Sequence, residues 1–134
     1  MNEQQRNKQL IEEHYSAFWS GDASLIRQQI SDEYVDHGMP GSPVGVEPVL
    51  AHSSLFRASF PDMKVTVNAS VAEGDRVAVH ATWQGTHKAT FQGVPATNKV
   101  ITFEGMVFWR IVNGKLTERW AILDTAAIAR QLRP

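Results

Sequence analysis

The hydrophobic period of the chain changes once, at Met63, and that change limits the fold more than any other feature. Before it, Leu10, Ile11, His14, Tyr15, Phe18 and Trp19 recur at the spacing of one helix face. After it, Val65, Val67, Ala69 and Val71 alternate with Lys64, Thr66, Asn68 and Ser70, the period of a strand with one buried side. Helices first and consecutive strands afterwards predict an α+β domain, N-terminal helices packed on an antiparallel sheet. If that sheet is long and curved, it makes a cone whose open end is an apolar pocket.

The punctuation between these segments is clear. The spacing predicts a helix over 4–20, stopped at Gly21, and a second short helix capped by Asp22 that ends near Ser31. Residues 38–45 hold three glycines and two prolines and read as a loop. Pro48 suits the first turn of a third helix reaching about Ser59. Glu73-Gly74-Asp75 is a turn, and a second strand carries Val77, Val79, Ala81 and Trp83 to about His87. A third strand over 99–112 is joined by the hairpin signal Asn113-Gly114 to a fourth over 115–124, with a short helix after it.

Composition removes several functional classes. The 134 residues fit a single domain, 1–134. Thirteen Lys and Arg against 14 Asp and Glu, with no basic run, leave no electrostatic footprint for nucleic acid. There is no cysteine, so disulfides, thiolate metal sites and cysteine nucleophiles are excluded. His-x-His and His-Glu-x-x-His spacings are absent, as are a Gly-x-Ser-x-Gly elbow, a P-loop and a dinucleotide fingerprint; no metal and no cofactor is expected. No apolar run has transmembrane length and the first residues are polar, so a cytoplasmic protein with no membrane partner is expected.

A two-residue hairpin at Asn113-Gly114 with no irregularity would pair Phe103 with Asp124, Val107 with Trp120, and Trp109 with Glu118. One face would then carry Phe103, Val107, Trp109, Trp120, Ile122 and Asp124, an aromatic surface ending in one carboxylate. The other would carry Met106, Phe108, Arg110 and Arg119 and is available to a second subunit, so a homodimer through the sheet is expected, with a tetramer as a larger form. Desolvation on the first face would raise the pKa of Asp124 and suit it to proton transfer; the same spacing equally allows Asp124 to cap the last helix.

Among the five histidines, His87 ends a strand face shared with Trp83, either as a proton carrier or as a residue reaching solvent. Tyr34, Asp36 and His37 precede the Gly/Pro loop, where they satisfy local backbone groups or stand at a pocket mouth. His14 lies on the apolar helix stripe and reads as a hydrogen-bonded core histidine rather than a catalyst.

The segment Gly85-Thr86-His87 through Phe91-Gln92-Gly93-Val94-Pro95 to Lys99 resembles the loop of SnoaL-like polyketide cyclases. So does Trp120-Ala121-Ile122-Leu123-Asp124 followed by Gln131-Leu132, with Gly21-Asp22 and Tyr34-Val35-Asp36-His37 in the family's order. Ala89-Thr90 and Ala96 depart from it. The resemblance implies the cone-shaped α+β barrel of the nuclear transport factor 2-like superfamily, usually dimeric. It implies a cofactor-free intramolecular aldol closure of a polyketide ester, with Asp124 as general acid/base and His87 in the same pocket. A small hydrophobic or aromatic substrate would lie against His37, Trp120, Trp109, Phe103, Tyr15, Tyr34, Val107 and Ile122. Two other readings stay open: an isomerase or epoxide hydrolase of the same fold, and a non-catalytic ligand-binding module. The epoxide hydrolase needs an Asp–Arg–Asp cluster, against which the expected outward position of Arg110 and Arg119 counts.

Overall fold

The computed structural model describes all of residues 1–134. Helix α1 (Glu3–Ser20) starts at a capping box in which Asn2 and Gln5 satisfy each other's backbone amides. It stops at Gly21, whose φ of 76° is the left-handed turn that glycine adopts without strain. Asp22 then accepts the Leu25 amide and opens α2 (Ala23–Gln29). Helix α3 spans Val46–Ser59, with Pro48 in its first turn. Helix α4 (Thr125–Leu132) begins at Asp124.

Five strands follow the order β1-β5-β4-β3-β2 in one sheet that is curled but not closed. They are β1 (Ile30–Asp36), β2 (Lys64–Glu73), β3 (Arg76–Thr86), β4 (Val100–Val112) and β5 (Lys115–Leu123). Strand β1 is an element that the reading of a mostly helical chain before Met63 did not include, and its parallel pairing corrects the expectation of an antiparallel sheet. It continues directly from α2 and pairs parallel with β5, placing Asp36 beside Arg119. Its sequence, Ile-Ser-Asp-Glu-Tyr-Val-Asp, has little intrinsic strand character, and the pairing edge of β5 is what extends it.

Two bulges set which side chains face inward. In β2, the register advances past Asn68, so that Val67 opposes Ala81 and Ala69 opposes His80. Val65 and Val67 face the helices, but beyond the bulge Val71 turns outward and the continuous alternation expected for β2 breaks. In β5, Ile111 opposes Leu116 while Arg110 opposes Glu118, leaving Thr117 as the extra residue. The expected pairs of Val107 and Trp109 are thereby displaced by one, with Val107 opposing Ala121 and Trp109 opposing Arg119, and the ladder ends at Gly105 and Leu123, before Phe103. A slip of one residue exchanges the two faces of the strand.

The core lies between the inner sheet face and α1, α3 and α4. Val77, Val79, Ala81 and Trp83 of β3 meet Ile101, Phe103, Val107, Trp109 and Ile111 of β4, with Ile11 and Tyr15 above and Ile128 and Leu132 at the side. Trp83 and Phe103 stack with ring planes 1° apart and centroids at 5.4 Å. No helix is long and apolar enough to cross a membrane.

Candidate functional site

Because of the β5 bulge, Arg119 points into the domain rather than away from it. Its Nη1 donates to Asp36 Oδ1 at 2.9 Å and Oδ2 at 3.3 Å, with the two side chains 17% and 10% exposed. Asp36 Oδ1 also accepts the Gly38 amide at 3.0 Å. The approach is close enough to require glycine at 38, where a Cβ would stand 2.8 Å from Arg119 Nη1 and 2.9 Å from the Ala121 Cβ. The guanidinium lies 5.6 Å from the Trp109 ring centroid.

Helix α1 lowers His14 and Tyr15 onto this pair. His14 Nδ1 is 3.0 Å from Gln29 Oε1, and the imidazole meets Trp109 edge-on at 5.5 Å. Burial pushes the pKa of His14 down to about 4, so the ring is neutral at pH 7. Burial pushes the phenols of Tyr15 and Tyr34 up, so both stay protonated and can donate. The Trp109 indole N–H approaches the Tyr15 hydroxyl without completing a hydrogen bond. Tyr15 Oη, Gln29 Nε2 and Trp109 Nε1 are all buried without a partner. Native interiors leave few such groups, and three hydrogen-bond donors in one neighbourhood are complementary to ligand oxygen atoms.

A cleft of about 370 Å³ opens between α1 and β2, where Tyr15, Trp19, Met63, Val65 and Val67 share the wall with Glu12, Ser16 and Ser20. This is at the small end of the range for small-molecule sites. The Tyr15 ring is the wall shared with the polar centre, at 6.0 Å from Trp83 and 6.1 Å from Trp109.

The remaining residues expected in a pocket are dispersed. Asp124 is exposed and its Oδ1 accepts the Ala127 amide at 3.0 Å; it caps α4, and the desolvated aromatic face expected to perturb it does not surround it. Trp120 and Ile122 lie on the outer sheet face, Ile122 with 81% of its surface exposed. His37 also turns outward, stacking on Trp120 at 5.0 Å and meeting Glu118 at 2.9 Å. The hydrogen bond from His37, with a further one from Arg110, holds the Glu118 carboxyl below its usual range. Tyr34, Phe103 and Val107 are core residues on the inner side.

His87 is fully buried just beyond β3, its ring 5.6 Å from Phe60. Its Nδ1 accepts the Thr97 amide at 3.2 Å. A backbone N–H can only donate, so the neutral ring carries its proton on Nε2, which is buried without a partner. His87 is remote from the Arg119 centre: Val77, the β3 partner of Trp109, precedes it by about 33 Å of strand. Nor is it brought to Asp124, whose amide bonds Glu104 opposite Thr82.

The signal missed in the sequence is the joint position of Asp36, Arg119, His14 and Gln29. Asp36 and His14 were visible as individual residues, but the bulge and the parallel β1–β5 pairing that join them leave no mark in the residue pattern. Asp36 is the one buried carboxylate. Arg119 does not face away, as expected, but the interior still holds no Asp–Arg–Asp cluster. No group of three potential ligands is placed to hold a metal ion.

Residues 9–132 match the sequence profile of the family described as SnoaL-like polyketide cyclase. The chain belongs to that family. IdmH of Streptomyces antibioticus, described as a candidate polyketide cyclase, is 33% identical over 94% of this chain and 97% of its own, with a TM-score of 0.83. A candidate polyketide cyclase of Acidithiobacillus ferrooxidans is 28% identical over 99% and 98% of the two chains, with a TM-score of 0.87. TsrD of Streptomyces laurentii, 23% identical over 98% of each chain with a TM-score of 0.88, shares the fold. No functionally curated protein matches the chain. The α+β architecture is the nuclear transport factor 2-like fold expected for this family.

Proposed function

We propose that the protein is a cofactor-independent acid–base enzyme of the polyketide-cyclase type, closing a ring in a polyketide-like carbonyl substrate by aldol addition. The observation that carries this reading is the group of three buried, unpartnered donors beside the Arg119–Asp36 pair, behind the Tyr15 wall of a cleft of mixed polar and apolar lining. Substrate carbonyl oxygen takes the hydrogen bonds that Tyr15 and Trp109 lack, and these strengthen as the oxygen gains enolate charge. The centre holds two proton acceptors, the Asp36 carboxylate and the His14 imidazole. A proton leaves the carbon between two carbonyls, the enolate carbon bonds to a second carbonyl carbon, and the proton returns to the new alkoxide. The apolar part of the wall, Trp19, Met63, Val65 and Val67, positions a small hydrophobic or aromatic substrate. Asp124 is left out of this chemistry because its carboxylate is in solvent and committed to a helix cap.

The test is turnover of a panel of poly-β-keto esters by Tyr15→Phe and Asp124→Asn. Tyr15→Phe is expected to lose about 10²-fold and Asp124→Asn to match the wild type. Full activity in folded Tyr15→Phe, with loss in Asp124→Asn, would overturn the assignment.

We further infer a homodimer through the outer sheet face. Val71 (68% exposed), Met106 (60%) and Phe108 (42%) join Ile122 there around a groove of about 520 Å³. The occupant that fits is a second copy, because the rim is sign-balanced. The His80–Glu104 pair is on one side, and Asp75, Arg110 and Glu118 are on the other, so the same face of a second copy meets no excess of like charge.

A further inference from the structure

We infer that Gln29 is a positioning residue that makes His14 the working base of the interior, by holding the proton on Nδ1 and leaving the Nε2 lone pair for substrate. The inference rests on the function proposed above and assigns its proton acceptor.

Of the two acceptors in the centre, Asp36 is already committed. Its Oδ1 receives Arg119 Nη1 and the Gly38 amide, and its Oδ2 receives the same guanidinium nitrogen. Protonating Asp36 would leave the Arg119 charge without its counter-ion in a largely buried setting. His14 carries no such obligation. Its Nδ1 faces Gln29 Oε1 at 3.0 Å, and an amide oxygen accepts only, so Nδ1 bears the hydrogen. Nε2 is then the acceptor of the ring.

The groups facing His14 come from every layer packed on it. They are Gln29 of α2, Asp36 of β1, Trp109 of β4, Arg119 of β5, and Phe18 of its own helix. The charges of Asp36 and Arg119 cancel, so the resting interior is neutral. When substrate C–H breaks, the proton bonds to Nε2 and the electron pair moves to the enolate oxygen. Imidazolium and enolate appear together, and the interior stays neutral overall, which a low-dielectric site favours over creating a lone charge. Addition then forms the carbon–carbon bond, and Nε2–H returns its proton to the alkoxide. A glutamine at 29, rather than a glutamate, orients the imidazole without adding a second buried negative charge.

The experiment combines histidine-selective ¹⁵N NMR of the full chain, assigned with His14→Gln, with deuterium incorporation from D₂O into ethyl 2-methylacetoacetate. The wild type is expected to show His14 protonated on Nδ1 only, and to speed exchange over buffer. Gln29→Leu is expected to lose the Nδ1 preference and to exchange about 10-fold more slowly. Gln29→Glu, which keeps the acceptor, is expected to retain the tautomer and to move the acid limb of the pH profile to higher pH. An Nε2–H tautomer in the wild type overturns the inference. So does an unchanged rate and pH profile in folded Gln29→Leu, an outcome that leaves the proposed function standing. A wild type that holds the Nδ1–H tautomer and does not exceed buffer exchange overturns the proposed function and, with it, the catalytic use of His14.

Discussion

Arg119 and Asp36 are 83 residues apart in sequence and 2.9 Å apart in space, joined across the parallel β1–β5 ladder on the inner side of the sheet. The pair is the charged centre of the domain, and its cost and benefit are measurable. Removing one partner leaves the other poorly solvated. Arg119→Leu is expected to lose about 3 kcal/mol in urea unfolding. Asp36→Leu combined with Arg119→Leu should recover part of that loss, since no lone charge remains.

Stability should fall on the acid side of neutrality before the surface carboxylates titrate. His14 binds its proton at about 4 in the folded chain, against 6.5 for the unperturbed group, because burial disfavours the imidazolium. The unfolded state therefore holds more protons between those values, and stability rises with pH across that window. The contribution is complete above about pH 6.5 and is lost as pH falls toward 4. Urea midpoints measured across this range should slope accordingly in the wild type and flatten in His14→Gln.

Asp124 acts on stability through its helix. Asp124→Asn keeps an acceptor for the Ala127 amide and should stay within about 0.5 kcal/mol of the wild type. Asp124→Ala should cost about 1 kcal/mol in thermal unfolding. A much larger loss in Asp124→Asn would show a role beyond the cap.

Gly105 is held by crowding rather than by conformation. A Cβ there would stand 2.3 Å from Leu123 Cδ2 and 3.1 Å from both the Ile122 carbonyl oxygen and Trp83. The Leu123 side chain can move, but the β5 backbone cannot without opening the ladder. Gly105→Ala should destabilise by about 1–3 kcal/mol, read as a lower urea midpoint.

The outer face should govern association. Ile122→Glu places a charge in the middle of the proposed two-fold contact and should convert a dimer to a monomer in sedimentation velocity, with the circular dichroism spectrum unchanged. A wild type that sediments as a monomer at micromolar concentration would remove the dimer.

Much of this architecture was legible from local chemistry. The cap at Asp22 and the stop at Gly21 mark helix ends through side-chain and backbone preferences that act within a few residues, and the cap at Asp124 was one of the two roles its spacing allowed. Asn113 and Gly114 both adopt positive φ, 52° and 73°, as their hairpin signal requires. Strand β4 was legible too, with Phe103, Val107 and Trp109 inward, because its alternation runs unbroken for 13 residues.

The site was less so. On β5, Trp120 and Ile122 are as apolar as Ala121 and Leu123, so hydrophobic pattern assigns neither set to the core. The bulge at Thr117 makes that choice, and one extra residue turns Arg119 inward and Trp120 outward. Strand β1 exists because β5 offers it a partner. Sequence by itself determined the four helices, the strands after Met63 and the turns between them, since those depend on neighbours a few residues away. Only the tertiary structure decided which face of β5 meets the core and that Asp36, Arg119, His14 and Gln29 share it, because register and burial are settled by packing between segments distant in the chain.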